Sequence, residues 1–413
     1  MLNKYMKINM THAATVIDAA AAKLLDTGFD DVLAAGGRPY FVGGFVRDAF
    51  LGREAKDIDV VVDGLSMPEL VGILEKRGKV DLVGKSFAVL KFKAGGETVD
   101  VAVPRADAHV EGGGHKDVKI VTGGIGIRED LFRRDFTINA IASNFNCMII
   151  DPTGGLKDLG AGVIRCVDGD AFAMDPLRML RAVVFAARFG FEIHADTARN
   201  IEEHAEWIKR IPGERIEAEL RKAWEAGAKV SDLVNGLMTT GLYKNMFGLD
   251  RDFAATCVDD PYQTYADFFY HVLEGARDPE EQYAKALRGD STTANEIGTI
   301  RYALVSAIGK TKVQVRRILQ RAIEHAPGVI NSAVLDSAYG EELNKFKSGE
   351  YPKSRRDLAV TGEDLVVMRV APENRGNMFK GMIEQVLSDA LPNERAPLLK
   401  WVSMTNNAMN NDE

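Results

Sequence analysis

The chain has 413 residues, more than one ordinary domain needs, so two or more separate cores are expected. Hydrophobic residues make up 46% and charged residues 27%, which excludes a wholly disordered, collagenous or disulfide-knot protein. The 60 acidic and 52 basic residues give a net charge of −8, which taken alone argues mildly against a nucleic-acid partner. Three cysteines (Cys147, Cys166, Cys257) have no CxxC spacing and cannot all pair, so a reduced compartment is expected and a cysteine-ligated zinc site is not. The first residues lack a signal-peptide core, and no run reaches the roughly 18 apolar residues of a membrane span. A cytoplasmic protein with no membrane partner is the expectation.

In chain order, residues 11–35 form an Ala-rich helix, with Val16, Ala20, Leu24 and Leu25 at helical spacing. Tyr40-Phe41-Val42 is a short strand, Gly43-Gly44 a turn, and Phe45 to Leu51 a short helix. Strands are expected over Asp57–Val62, Val80–Val83, Phe87–Phe92, Thr98–Val103 and Val118–Val121, the last two separated by a loop with Gly112-Gly113-Gly114. From Phe136 helices dominate, apart from a hairpin-like stretch, Cys147–Asp151 and Val163–Val167, about the turn at Asp151–Gly155. Helical periodicity marks 174–190, 196–209, 213–226 and 230–246, the last 160 residues read as helices, and Asn406 to Glu413 reads as a frayed tail. The pattern is a small α/β head followed by an all-helical body.

Chemistry begins at Asp57-Ile58-Asp59. Residues i and i+2 of a strand project from one face, so both carboxylates point the same way. Paired carboxylates without Cys or His suit a hard cation such as Mg²⁺, and Asp100 on a neighbouring strand can supply a third oxygen. Alone, an Asp-x-Asp is more often a solvated strand face. Upstream, Gly43-Gly44 between a strand and a helix lets the backbone approach a triphosphate, and Arg47 lies one turn inside.

With their neighbours these residues stop being generic. Val42-Gly-Gly-Phe-Val-Arg-Asp48, Leu51-Gly-Arg53 and Lys56-Asp-Ile-Asp59 resemble the head of the class II tRNA nucleotidyltransferase and bacterial poly(A) polymerase family. The likeness continues through Arg133-Arg-Asp-Phe-Thr-Ile-Asn-Ala140, Asp151-Pro-Thr-Gly-Gly155 and Asp175-Pro-Leu-Arg-Met-Leu-Arg-Ala182. It reaches Phe185-Ala-Ala-Arg-Phe-Gly-Phe-Glu-Ile193 and Glu214-Arg-Ile-Glu-Ala-Glu-Leu220, weakens over 230–350, and resumes at Asp357–Leu365 and Leu391-Pro-Asn-Glu394.

The resemblance implies a polymerase-β-like nucleotidyltransferase head over 1–160, a helical neck over 161–230, a body over 231–340 and an RNA-binding tail over 341–413. It implies metal binding by Asp57 and Asp59. Gly43, Gly44, Arg47, Arg134, Asp135, Asn139 and Arg181 would bind nucleotide, with Asp135 on its ribose. Asp175 and Arg178 share a helix face, and an acceptor beside a donor matches the Watson–Crick edges of cytosine and adenine while mismatching uracil and guanine. The rival reading makes Asp175 an N-cap before Pro176.

The family usually has Glu where this chain has Met174, and often Arg where it has Val184, so the orientation of the Asp175–Arg178 pair is in question. The loop at 104–117 begins as the family's flexible loop does, with Arg105 and Asp107, and departs from it over His109–His115. Its length favours full CCA addition. The basic run Lys310, Lys312, Arg316, Arg317 and Arg321 would track RNA phosphates unless it is a solvated helix face.

The expected activity is therefore addition of CCA to a tRNA 3′ end from CTP and ATP with Mg²⁺, with no DNA partner. A CC-adding or A-adding partial enzyme, a poly(A) polymerase and a catalytically inactive RNA-binding protein are the alternatives.

Overall fold

The N-terminal helix breaks where its glycine allows. In the computed structural model α1 (Met10–Leu24) passes through a π-helical turn into α2 (Asp30–Ala34). Gly28 in that turn has φ +121°, a conformation nearly closed to other residues. The break buries Phe29 against Phe92 and Phe145, ring centroids 6.2 and 5.6 Å away. The single helix expected over 11–35 is thus two. The structure describes residues 8–55, 57–83, 89–108, 119–122, 124–248, 264–273, 278–308 and 310–411. The expectations on Lys56, Phe87, His109–His115, Val118, Cys257 and part of 258–300 lie outside these.

There are two compact units, residues 1–250 and 251–413. In the first, β1 (Arg38–Val42) leads into α3 (Gly44–Phe50), β2 (Ile58–Asp63) and α4 (Met67–Leu74). Then follow β3 (Lys79–Val83), β4 (Val89–Ala94), β5 (Glu97–Ala102), β6 (Arg105–Ala108), β7 (Lys119–Thr122), α5 (Ile127–Phe132), β8 (Ala142–Asn144) and β9 (Ile149–Ile150). Seven strands make one sheet in the order β3-β4-β5-β2-β1-β8-β9, and only β2 and β5 run parallel. Phe41 stacks between Phe45 and Phe145 on one face, while Val42, Val61 and Ala142 pack against Ile127 and Leu131 of α5 on the other.

The expected hairpin does not form. Asp151 accepts from the backbone N–H groups of Gly155 (2.7 Å) and Leu156 (3.0 Å) and so starts α6 (Gly155–Ala161). Residues Val163–Ile164 (β10) pair instead, in parallel, with Glu192–Ile193 (β11). Between and beyond these lie α7 (Ala171–Met174), α8 (Leu177–Phe189), α9 (Ala195–His204), α10 (Gly213–Glu225), α11 (Val230–Thr239) and α12 (Leu242–Phe247). The helix expected over 230–246 divides at Gly241, φ +70°. Gly236 of α11 lies so close to α8 that a Cβ there would sit 2.7 Å from Val183 Cγ1. Residues 230–247 therefore belong to the first unit, not to a following body.

The second unit comprises α13 (Tyr265–Val272), α14 (Pro279–Ala286), α15 (Ser291–Ala307), α16 (Lys312–His325), α17 (Ala333–Ser348), α18 (Gly362–Val367), α19 (Arg375–Leu387) and α20 (Arg395–Asn411). The last remains helical to Asn411, where a frayed end was expected. Among the described residues no helix is long and apolar enough to cross a membrane.

The basic run on α16 is not a uniform RNA-facing surface. Arg316 is buried and bonds Glu342 (2.6 Å), Asp389 (2.5 Å) and the Leu387 carbonyl (3.0 Å) beneath the Tyr351 ring. Lys312 pairs with Glu341 and Arg317 with Glu384. Lys310 and Arg321 are exposed. Arg316→Ala leaves Glu342 buried without its cation and should destabilise the second unit by about 3 kcal/mol. Arg321→Ala should change stability by less than about 0.5 kcal/mol. Urea unfolding of the two variants of the full chain checks the contrast.

Candidate active site

The parallel register of β2 and β5 sets Asp59 directly beside Asp100. The strand begins at Ile58, one residue later than expected, so Asp57 stands just ahead of it, near enough for its charge to act on Asp59, whose face α5 closes further along at Val61. Burial pushes the Asp59 carboxyl above its ordinary value, Arg134 opposes this, and the Asp100 and Asp57 charges add to it. This is a concentration of negative charge that a divalent cation would relieve, and its donors are all carboxylate oxygens, the set a hard ion takes. The residues present fit Mg²⁺ in chemistry. Asp100 is held by Lys91 Nζ at 2.8 Å, and among the described residues no three such side chains already converge as a metal cage.

Gly43 closes one side of this region, with φ +65° and ψ −129°. A Cβ on it would stand 2.9 Å from Arg134 Nη1 and 3.8 Å from Asp59 Oδ2, so the glycine turn, the arginine and the carboxylate lie together. Arg134 is oriented by Asp130, a fully buried carboxylate that also takes two bonds from Arg133 and one from the Arg105 amide. Asp130 escaped the sequence reading. Its spacing, three and four residues before the arginine pair on α5, was the available signal.

Arg47 stands beside the glycine turn, where a Cβ on Gly44 would lie 3.5 Å from its Nη2, and it is already engaged. It is only 5% exposed and sits inward of the glycine turn. Its guanidinium bonds both oxygens of Asp48 at 2.9 Å and Asn139 Oδ1 at 2.6 Å, and it lies over the Phe185 and Phe189 rings. Asp135 is likewise occupied. One oxygen accepts from the Phe136 amide (2.8 Å) and Asn139 Nδ2 (2.9 Å), the other from Arg181 Nε (2.9 Å) and Nη2 (2.7 Å). Arg181 Nη1 continues to Glu219 on α10 at 2.8 Å. Arg47, Asn139, Asp135, Arg181 and Glu219 thus form one bonded line from α3 through α8 to α10. Burial opposes ionisation of Asp135, but the charge of Arg181 and the bonds from Asn139 and Arg181 hold its carboxyl down at about 2. Arg181 is raised in turn, its burial outweighed by Asp135 and Glu219.

Asp175 and Arg178 line one cavity of about 470 Å³, with Arg134, Asp135, Arg181 and Arg215 also on its wall. They do not pair with each other. Asp175 Oδ1 accepts from the Leu177 amide at 3.2 Å, which is the capping bond of the rival reading, while Oδ2 accepts from Arg215 Nη2 at 2.9 Å. Arg178 Nη2 donates to the Arg133 carbonyl at 2.9 Å. Arg215 therefore steadies Asp175 although Met174 stands where the family has Glu. Val184 is buried within α8, where packing asks for an apolar residue. Arg215 and Glu219 fall within the motif Glu214–Leu220, but nothing in that motif says which distant carboxylate or guanidinium they meet.

A family model described as "Poly A polymerase head domain" matches residues 39–165, and one described as "Probable RNA and SrmB- binding site of polymerase A" matches 190–250. The chain is 30% identical over 398 residues to the CCA-adding enzyme of Bacillus pumilus, covering 91% of this chain and 96% of that one. It is 28% identical over 401 residues to the CC-adding tRNA nucleotidyltransferase of Halalkalibacterium halodurans, covering 92% and 95%. The Bacillus stearothermophilus CCA-adding enzyme, solved in complex with CTP, shares the fold with a TM-score of 0.71 at 24% identity, over 95% of this chain and 99% of that chain.

A carboxyl depressed on folding stabilises above its unfolded pKa and loses that stabilisation as pH falls through its folded one. Asp135→Asn should therefore cost about 2 kcal/mol at neutral pH, and its deficit against the parent should close between about pH 4 and pH 2. Denaturant melts across that range read the closing gap.

Proposed function

The chain belongs to the CCA-adding enzyme family of nucleotidyltransferases, and from this membership we propose that it builds or mends the complete 3′-terminal CCA of tRNA, taking CTP and ATP with Mg²⁺. The observation that carries the reading to these residues is the shared cavity of Asp175 and Arg178, with Arg134 forming part of its wall and reaching back to Gly43 and Asp59. This arrangement supports a base reader linked through Arg134 to the carboxylates beyond the cavity.

In this reading Asp57 and Asp59 hold the metal, with Asp100 beside them. Bound there, Mg²⁺ supplies positive charge to a reacting phosphate and acidity to a hydroxyl. The reaction joins the RNA 3′-oxygen to the α-phosphorus of the nucleotide and expels pyrophosphate. Arg134, held against Asp130 and adjoining Gly43, stabilises phosphate charge. Asp175 accepts from the exocyclic amino group of cytosine or adenine, and Arg178 donates to the neighbouring ring nitrogen. Uracil and guanine present a carbonyl to the carboxylate and an N–H to the guanidinium, which leaves buried polar groups unpaired. No nucleic-acid template is needed. Arg47, Asn139, Asp135 and Arg181 act as positioning residues in this scheme, because their hydrogen-bonding groups are already engaged with one another.

Transcripts of one tRNA ending at the discriminator base, at C and at CC should gain CCA, CA and A respectively when CTP and ATP are supplied together. A stop after CC would make this a partial enzyme like the Halalkalibacterium relative, and long A tails would make it a poly(A) polymerase. Asp59→Ala should reduce incorporation by more than about a thousandfold while RNA binding persists. Substantial turnover in that variant would overturn the metal assignment. Arg178→Ala should admit UTP or GTP in single-nucleotide incorporation assays, whereas unchanged selectivity would return Asp175 to a purely capping role.

A further inference from the structure

Two stretches quoted for the family resemblance, Leu51-Gly-Arg53 and Phe185-Ala-Ala-Arg-Phe189, have no part in the chemistry above, yet the fold brings them together. Phe185 and Phe189 lie one turn apart on α8 with rings 5.7 Å apart and 6° from parallel. Arg188 lies against both, at 5.4 and 5.6 Å, and Arg53 covers Phe189 at 4.9 Å. Arg47 lies against the same rings, but its charge is answered by Asp48. Among the described residues neither Arg53 nor Arg188 has a carboxylate partner, and Arg188 Nε is buried without any hydrogen bond. Asp48 and Glu219 act on Arg188 only from beyond ion-pair distance. In a chain of net charge −8, two guanidiniums without a bonded carboxylate on one ring pair are an unusual concentration of positive charge.

We propose that Arg53 and Arg188 form a subsite for a backbone phosphate of the RNA substrate near its 3′ end. Guanidiniums held against aromatic faces keep their N–H forks fixed, the preorganisation that suits phosphate oxygens. Burial lowers the pKa of Arg188 and the Arg47 charge lowers it further. Asp48 and Glu219 oppose this without reversing it, and Arg53 adds a smaller lowering, so an anion here relieves an electrostatic cost present in the free protein. A phosphate could equally come from the nucleotide. The position favours RNA: neither residue is on the wall of the cavity shared by Asp175 and Arg178, and along α8 Arg188 stands about 15 Å from Arg178. Arg53 is exposed, so a strand can reach the pair from solvent.

This inference rests on the proposed function, and RNA binding tests it apart from turnover. Binding of a tRNA transcript ending in CC to the full chain is measured between about 50 and 200 mM KCl, with KM for the transcript and for ATP taken from incorporation. For Arg53→Gln and Arg188→Gln the expected result is a rise in transcript KM of about three- to tenfold. The salt slope should fall by about 0.7 to 1 per variant, with KM for ATP unchanged. Arg188→Lys should recover most of the slope, because it keeps the charge and loses the ring packing. If Arg188→Gln melts early, exposed Arg53→Gln is read alone. Unchanged RNA affinity and slope in Arg53→Gln would reduce the pair to packing, and a rise confined to the KM for ATP would assign the phosphate to the nucleotide. Failure of the parent to incorporate any nucleotide would instead count against the proposed function and leave the salt slopes interpretable.

Discussion

The bonded line from Arg47 through Asn139, Asp135 and Arg181 to Glu219 is what the rest of the first unit depends on. It joins the helix after the glycine turn to α8 and α10. Its members are largely buried, so Asp135, Arg181 and Glu219 are tolerable only because each charge answers the next, while Asp48 answers Arg47. Removing one leaves another uncompensated. The same line sets the wall of the cavity, since Asp135 and Arg181 face it as well as each other. Stability and positioning are therefore one property here.

Around that line the elements divide the work. The sheet sets Asp59 and Asp100 in register with Asp57 just ahead of β2, and Asp130 of α5 orients Arg134. Arg178 lies on α8, while Asp175 stands in extended backbone just before it, off the helix face expected for the pair. Helix α10 steadies Asp175 by Arg215 and Arg181 by Glu219, so two walls of the cavity rest on one neighbouring helix. Asp175 and Arg178, the proposed reading groups, are held by different partners and keep separate orientations. That separation suits recognition of a base edge better than an Asp–Arg pair satisfied within itself.

Much of this was legible in the sequence, and the remainder failed for identifiable reasons. The strands bearing Asp59 and Asp100 were legible, with Asp57 falling just short of its strand, and the motifs around Arg134, Asp135, Asp175 and Arg178 marked residues that now share one region. That Arg47 is buried and bonded was not legible, because sequence shows charge but not burial. Its partners Asn139, Phe185 and Phe189 come from far along the chain. Arg316 misled in the same way, its solvent exposure cancelled by Glu342 and Asp389. Lys91 was invisible because its relation to Asp100 depends on the pairing of β4 with β5. The hairpin about Asp151 failed because local apolar runs do not show that a carboxylate will spend both oxygens on starting a helix.

Gly43 carries an evolutionary consequence. Its φ and ψ belong to a region that side chains with a Cβ scarcely visit, and the place a Cβ would take is next to Arg134 Nη1. Arg134 cannot simply withdraw, since Asp130 tethers it and its Nε is already buried without a partner. Any lineage that replaced Gly43 would have to rebuild the turn and rehouse Arg134 in the same step. A change at Gly43 is thus felt at Arg134 as directly as in the turn itself.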